Sequence, residues 1–212
     1  MKVVIFGATG FAGKAILKEA LAQNYQVTIL VRETESVIPE GEIKVVKGNA
    51  LNREDVNAIL KDQDGVINAL GIGGRGNGKP TTFISDATKI LVEEMEKNNV
   101  KKLVALSNVG AGDSINFYPK FITNILFATY LRWLKPIIVD KNRMEPLIMN
   151  SKLNWTIVRC TDMVDNPAKG NYKVSFDGKG LKFSITLGDM ASFMVKQLED
   201  NTYSKKTPAI SN

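Results

Sequence analysis

The groups in this chain that could do chemistry are defined first by what is missing. There is no histidine and one cysteine, Cys160, among 212 residues. That excludes Ser-His-Asp catalysis, histidine bases, cysteine-rich zinc sites and most transition-metal sites, so no metal site is expected. A disulfide within the chain is impossible. With no histidine to activate it, Cys160 reads as structural. What remains is a glycine-rich turn, Gly7-Ala8-Thr9-Gly10-Phe11-Ala12-Gly13, and a few polar residues that follow apolar runs: Arg32, Asn49, Ser107 and Lys141.

The turn has a specific context. Val3-Val4-Ile5-Phe6 precedes it as a β-branched apolar run, and Lys14–Leu21 follows with helical periodicity. Strand, glycine turn and helix in that order predict a dinucleotide site. Gly7 lets the chain turn out of the strand. Gly10 has no Cβ, so a pyrophosphate can approach the backbone. Gly13 lets the helix pack close to the sheet. Thr9, Phe11 and Ala12 complete the turn, and the amides at the new helix's positive end face the phosphates.

Further strands are expected at Val27–Val31, Ile43–Val46, Gly65–Leu70, Lys101–Leu106 and Ile157–Arg159, with helices at Asn52–Leu60, Pro80–Asn98 and Gly188–Leu198. Tyr172–Phe176 and Leu181–Ile185 around Asp177-Gly178-Lys179-Gly180 suggest a hairpin. Strands alternating with helices predict an α/β fold, a doubly wound parallel sheet with its ligand crevice at the strands' carboxyl ends. No linker or repeat interrupts it, so residues 1–212 read as one Rossmann domain with a small C-terminal substrate-side region.

The strand exits supply the other candidates. Arg32 suits a 2′-phosphate and suggests NADPH over NADH, unless it is solvated or held by Glu33 or Glu35. Asn49, with Ala50 after it, can form a turn at the exit of the third strand. The small residues around Leu70, Ala69 and Gly71, would let the dinucleotide lie against the backbone, and the glycine-rich stretch to Gly78, carrying Arg75 with Lys79 after it, reads as a mobile loop.

The spacing Gly7-Ala8-Thr9-Gly10-x-x-Gly13, the segment Asn154-Trp155-Thr156-Ile157-Val158-Arg159 and the ending Gly188-Asp189-Met190-Ala191-Ser192-Phe193 resemble the atypical short-chain dehydrogenase/reductases. Within that group the chain looks like NAD(P)H-binding proteins similar to flavin and biliverdin reductases and to NmrA-like proteins. The resemblance implies that Ser107 faces the nicotinamide and substrate, and that Lys141 bonds the nicotinamide ribose. It implies that Asn49 and Ala50 lie beside the adenine, with an acidic residue where Asn49 stands, whose amide can still bond the ring, and a proline where Cys160 stands. It also implies a tyrosine four residues before Lys141, where this chain has Ile137. That departure disfavours proton-coupled alcohol oxidation. It leaves hydride transfer to a small planar acceptor, such as a flavin or quinone, that takes its proton from water. The competing expectation is a regulator or redox sensor that binds the dinucleotide without turnover.

Between Ser107 and Lys141 lie Phe117, Tyr118, Phe121, Phe127, Tyr130 and Trp133. Core packing accounts for most of them, and one or two could line a flat pocket beside the nicotinamide. Thr161, Asp162 and Met163 follow the last long strand and are candidates for substrate contact. The net charge is +6, with basic residues scattered rather than clustered. A small-molecule ligand is therefore expected rather than nucleic acid. No apolar run reaches membrane-spanning length. A cytoplasmic chain, monomeric or weakly self-associating, fits these features.

Overall fold

A computed structural model describes residues 1–32, 42–73, 78–117, 119, 121, 125, 128–129 and 132–212. Glu33, Glu35, Arg75, Tyr118, Phe127 and Tyr130, for which the sequence raised expectations, lie outside these residues. The strands are β1 (Lys2–Phe6), β2 (Gln26–Val31), β3 (Ile43–Lys47), β4 (Gly65–Asn68), β5 (Lys102–Asn108), β6 (Asn154–Cys160), β7 (Asp162–Val164), β8 (Lys173–Ser175), β9 (Ser184–Thr186) and β10 (Ala209–Ser211). The helices are α1 (Phe11–Ala22), α2 (Arg53–Leu60), α3 (Phe83–Lys97), α4 (Lys135–Met149) and α5 (Leu187–Lys196), with a 3-10 turn at Gly112–Phe117.

The main sheet runs in the order β3-β2-β1-β4-β5-β6-β10-β8. Every pair from β3 to β10 is parallel, and β8 closes the edge antiparallel to β10. The chain winds outward from β1 to β3, then crosses back to β4 on the other side of β1. The order reverses there, which opens a crevice at the carboxyl ends of β1 and β4. The doubly wound parallel sheet expected from the sequence is therefore the observed fold.

Strand alternation divides the core. Val3 and Ile5 face α1 and α5 with Ile16, Leu17, Phe193 and Met194. Val4 and Phe6 face α2, α3 and α4 with Leu60, Leu91, Met144 and Ile148. β-branched residues suit strands buried on both faces. At α2 the Asn52 side chain accepts from Asp55 N at 2.9 Å, the cap its residue type predicts.

Two expectations fail. Tyr172–Phe176 and Leu181–Ile185 do not form a hairpin. β8 pairs with β10, and β9 pairs in parallel with β7 as a separate two-stranded sheet. The turn between them exists, with Gly178 at φ +82° and Gly180 at φ +73°. A chain-terminal strand, short and unflanked by turn signals, competes successfully for β8. The second failure is at α3, which starts at Phe83 rather than Pro80.

The start of α3 is set from another helix. Thr82 offers no side-chain cap. Instead Asp140, fully buried on α4, accepts from Ile84 N at 2.8 Å, Ser85 N at 3.2 Å and Ser85 Oγ at 2.5 Å. One carboxylate thus satisfies α3's first-turn amides and complements its dipole. Asp140→Ala should lower the unfolding free energy by about 3 kcal/mol, since charged hydrogen bonds vanish and buried donors are orphaned. Urea denaturation measures it, and a loss below about 1 kcal/mol would mean that water replaces the carboxylate.

Candidate functional site

The glycine turn is built by contact rather than by flexibility. Gly7 has φ +80°, and a Cβ there would lie 2.5 Å from Ala69 O. A Cβ on Gly13 would overlap the Gly7 carbonyl oxygen and stand 2.7 Å from its carbon. α1 therefore presses on the turn, and the turn presses on the exit of β4. Gly10 differs. Its amide donates to Gly7 O at 3.0 Å, and an added Cβ would meet only that oxygen, at 3.2 Å. Gly10 precedes α1 without a side-chain cap, so the first-turn amides of Phe11, Ala12 and Gly13 have no intrahelical acceptor. Thr9 and Gly10 are exposed and Ala12 is buried, while Phe11 is 54 % exposed at the mouth. This cradle of bare backbone and unpaired amides fits a pyrophosphate.

The remaining exits line up along the same edge. Arg32 is exposed just past β2. Asn49 is exposed past β3, where its side-chain oxygen accepts from Leu51 N at 3.0 Å and its own amide donates to Asp55 at 2.8 Å. The turn reading of Asn49 is thus realised. Ala50, Ala69 and Leu70 are buried, and Gly71 is exposed with open space where a Cβ would stand.

Ser107 and Lys141 are brought together beneath the crevice. Ser107 is 0 % exposed, and its Oγ donates to Glu145 Oε1 at 2.7 Å. The expectation that it faces an acceptor differs from this placement. β5 alternation sends Ser107 under the sheet toward α4, while the neighbouring Asn108 is half-buried. Glu145 is also held by Arg159, Nε to Oε1 at 3.1 Å and Nη2 to Oε2 at 2.7 Å. Arg159 Nη1 reaches Asp113 Oδ1 at 2.5 Å. Burial works against the Arg159 charge, but its hydrogen bonds to Glu145 and Asp113 outweigh that and hold its pKa above the ordinary arginine value.

Lys141 is buried, not a surface lysine. Its Nζ donates to Leu106 O at 2.5 Å and Leu70 O at 3.4 Å, with Met144 Sδ at 3.8 Å. It therefore ties the ends of β4 and β5 together beside the dinucleotide crevice. Burial pushes its pKa down to about 8, against the opposing pull of Glu145, Asp140 and Cys160. Burial pushes the Cys160 thiol up, which keeps it an inert core group. Ile137, where a tyrosine was implied, is half-buried and packs on the α2–α4 side of the core.

On the far side of β5, Thr161 is buried with its hydroxyl on Ile210 O, Asp162 is exposed and Met163 is half-buried. Gly178 lies against Phe117, where a Cβ would stand 2.6 Å from the phenylalanine Cβ. Phe117 is half-buried, Phe121 is 66 % exposed and Trp133 is half-buried, so the described aromatics do not form one core face. Sequence reading missed Asp113 and Asp140 altogether, and used Glu145 and Arg159 only as landmarks. A carboxylate four residues after a buried lysine, facing an arginine within an apolar strand, was the available signal.

The match to known proteins agrees with this geometry. A family model described as NAD(P)H-binding covers residues 7–201, and the chain belongs to that family. It is similar to the uncharacterized protein YwnB of Bacillus subtilis, at 38% identity over 94% of this chain and 92% of that one. It is also similar to the photosystem II assembly factor Ycf39 of Synechocystis, at 24% identity over 98% of this chain, but it spans only 61% of that protein's length. Its fold resembles a short-chain dehydrogenase/reductase of Veillonella parvula solved in complex with NADP, with TM-score 0.78 and 15% identity over 100% of this chain and 94% of that one. It likewise resembles the anaerobillin reductase ChuY of Escherichia coli O157:H7, with TM-score 0.77 and 18% identity over 100% and 97%. Among the described residues no helix is long and apolar enough to cross a membrane.

Two variants separate fold from binding at the glycine turn. Gly10→Ala should keep its melting temperature within a few degrees and weaken NADPH binding at least about tenfold, because its methyl stands where phosphate would approach. Gly13→Ala should destabilise the chain itself. Fluorescence titration and thermal melts check both, and unchanged NADPH affinity in Gly10→Ala would refute the cradle.

Lys141 also sets a pH dependence. Its folded pKa, about 8, lies below the ordinary lysine value of 10.5. Between these pH values the unfolded chain holds more protons, so this group's contribution to stability rises with pH. The stability of wild type minus that of Lys141→Met should therefore increase from pH 7.5 to 10, by roughly 2 to 3 kcal/mol. Urea denaturation at both pH values reads it, and a flat difference would mean that Lys141 is not desolvated.

Proposed function

We propose that the chain is an NADPH-dependent reductase that passes hydride to a small planar acceptor of the flavin or quinone class. The observation that carries this reading is Ile137. The position implied for a tyrosine acid holds a hydrocarbon half-buried against the core, and Lys141 one turn on is committed to backbone carbonyls. Such a site suits an acceptor that draws its proton from water. Bound NADPH supplies the hydride. The chain's own residues do the rest. The turn Gly7–Gly13 holds the pyrophosphate, Arg32 reads the 2′-phosphate, and Asn49 with Ala50 borders the adenine. Ala69, Leu70 and Gly71 let the cofactor lie flat, and Lys141 braces the floor beneath the ribose by tying the ends of β4 and β5 together. Ser107 acts from beneath, fixing Glu145 rather than touching the acceptor. The name of ChuY, an anaerobillin reductase of the same fold, supports the reductase reading.

A second reading, a dinucleotide-binding regulator, is favoured by the same Ile137 and by the assembly-factor name of Ycf39. Oxidation of NADPH and NADH against FMN, riboflavin and menadione, followed by absorbance, separates the two. Turnover with NADPH preferred is expected. Arg32→Ala should weaken NADPH about 10- to 150-fold, the range of one charged hydrogen bond, and leave NADH unchanged. Tight NADPH binding without any turnover would overturn the reductase in favour of the regulator.

A further inference from the structure

We propose that Asp113 is a positioning residue for the acceptor: its carboxylate, seated on the buried Arg159–Glu145 pair, fixes the 3-10 turn Gly112–Phe117 as the acceptor-side wall of the crevice. The inference rests on the reductase reading above. Asp113 is 77 % exposed, whereas the arginine it meets is 2 % exposed and already locked bidentate on Glu145. An exposed ion pair is usually weak because two mobile side chains must be ordered. Here one partner is fixed in advance, so only Asp113 is ordered by the contact.

The turn is referenced to the same pair in a second way. Gly112 has φ +56°, and a Cβ on it would overlap Arg159 Nη2 and stand 2.5 Å from Glu145 Oε2. Its backbone therefore lies directly on the charges, while its amide donates to Asn142 Oδ1 at 2.7 Å. Ser114 Oγ closes the loop by accepting from Gly110 N at 2.9 Å and donating to Ala111 O at 2.5 Å. The far end, Phe117, abuts Gly178 of the next turn. Glu145 meanwhile accepts from Ser107 on β5. One carboxylate thus sets both the exit of β5, where hydride transfer would occur, and the turn that follows it. A wall contacts the acceptor in its ground state and its transition state alike, so this shared reference would set acceptor binding and leave that of the dinucleotide unchanged.

Asp113→Ala and Asp113→Glu test this with three readouts: NADPH affinity, the kinetic constants for menadione, and amide hydrogen exchange with NADPH bound. Asp113→Ala should raise the menadione KM about tenfold while kcat and NADPH affinity stay within about twofold. Amides of residues 109–117 should exchange faster and those of residues 7–13 should not. Asp113→Glu should recover most of the KM. An unchanged KM, a fall in NADPH affinity of equal size, or unchanged exchange in residues 109–117 would overturn the proposal. If the wild type binds NADPH and reduces no acceptor, the reductase reading fails on its own. Exchange then decides whether Asp113 holds the turn, and unchanged exchange removes that too.

Discussion

The structure depends on a backbone contact at which no side chain fits. Gly7 stands between the exit of β4 on one side and Gly13 of α1 on the other, and a Cβ at either position would collide with main-chain atoms. Main chain cannot swing aside as a side-chain tip can, so the constraint is absolute. It brings α1's free amides to the point where the strand order reverses. The same contact draws β1 and β4 together. The crevice floor is thus a consequence of two missing methyl groups, and the nucleotide site follows from packing as much as from hydrogen bonding.

The second half of the site is organised by charge. α4 contributes Asp140, Lys141 and Glu145, all buried, and each is spent on a different neighbour: the start of α3, the ends of β4 and β5, and Arg159. Isolated, any of these charges would be strongly disfavoured in the interior. Each is therefore matched by amides, carbonyls or an opposite charge, and each match fixes α4 against a separate element. A helix positioned by apolar contacts alone can slide; one positioned by three directional sets of hydrogen bonds cannot do so without orphaning a charge. Pro146, which directly follows Glu145, gives up one helical hydrogen bond without disturbing this arrangement.

How much of this the sequence disclosed follows from the range of the interactions. The strand, turn and helix at residues 1–22 were legible because their signals are local: β-branched alternation, glycine spacing and helical periodicity all lie within a short window. Asn52 was legible for the same reason. The pairing of β8 with β10 was not, because a three-residue strand near the chain's end carries no periodicity, and turn chemistry at Gly178 and Gly180 favoured the nearer partner. Asp140 could not be recognised as a cap because it serves a helix 55 residues away along the chain. Ser107 was legible as standing at the exit of β5, but the partner of its hydroxyl was not, because Glu145 lies 38 residues further along the chain on another element.

Ile137, at the position where the resemblance implies a tyrosine, bears on how Lys141 is held. A tyrosine acid needs its hydroxyl in the crevice and a lysine beneath it to lower its pKa. With Ile137 packed inward, Lys141 has no phenol to serve, and its three donors turn to Leu106, Leu70 and Met144. The amine keeps its place because the strand ends still need a donor between them, and because Glu145 and Asp140 favour its charged form. Lys141 is thus placed as a structural lysine, held by backbone carbonyls rather than by a phenol. On the proposed reductase reading, the main chain beyond β5 then shapes the acceptor's surroundings in place of a reacting phenol. That main chain is pinned where Gly112 rests on Arg159 and Glu145.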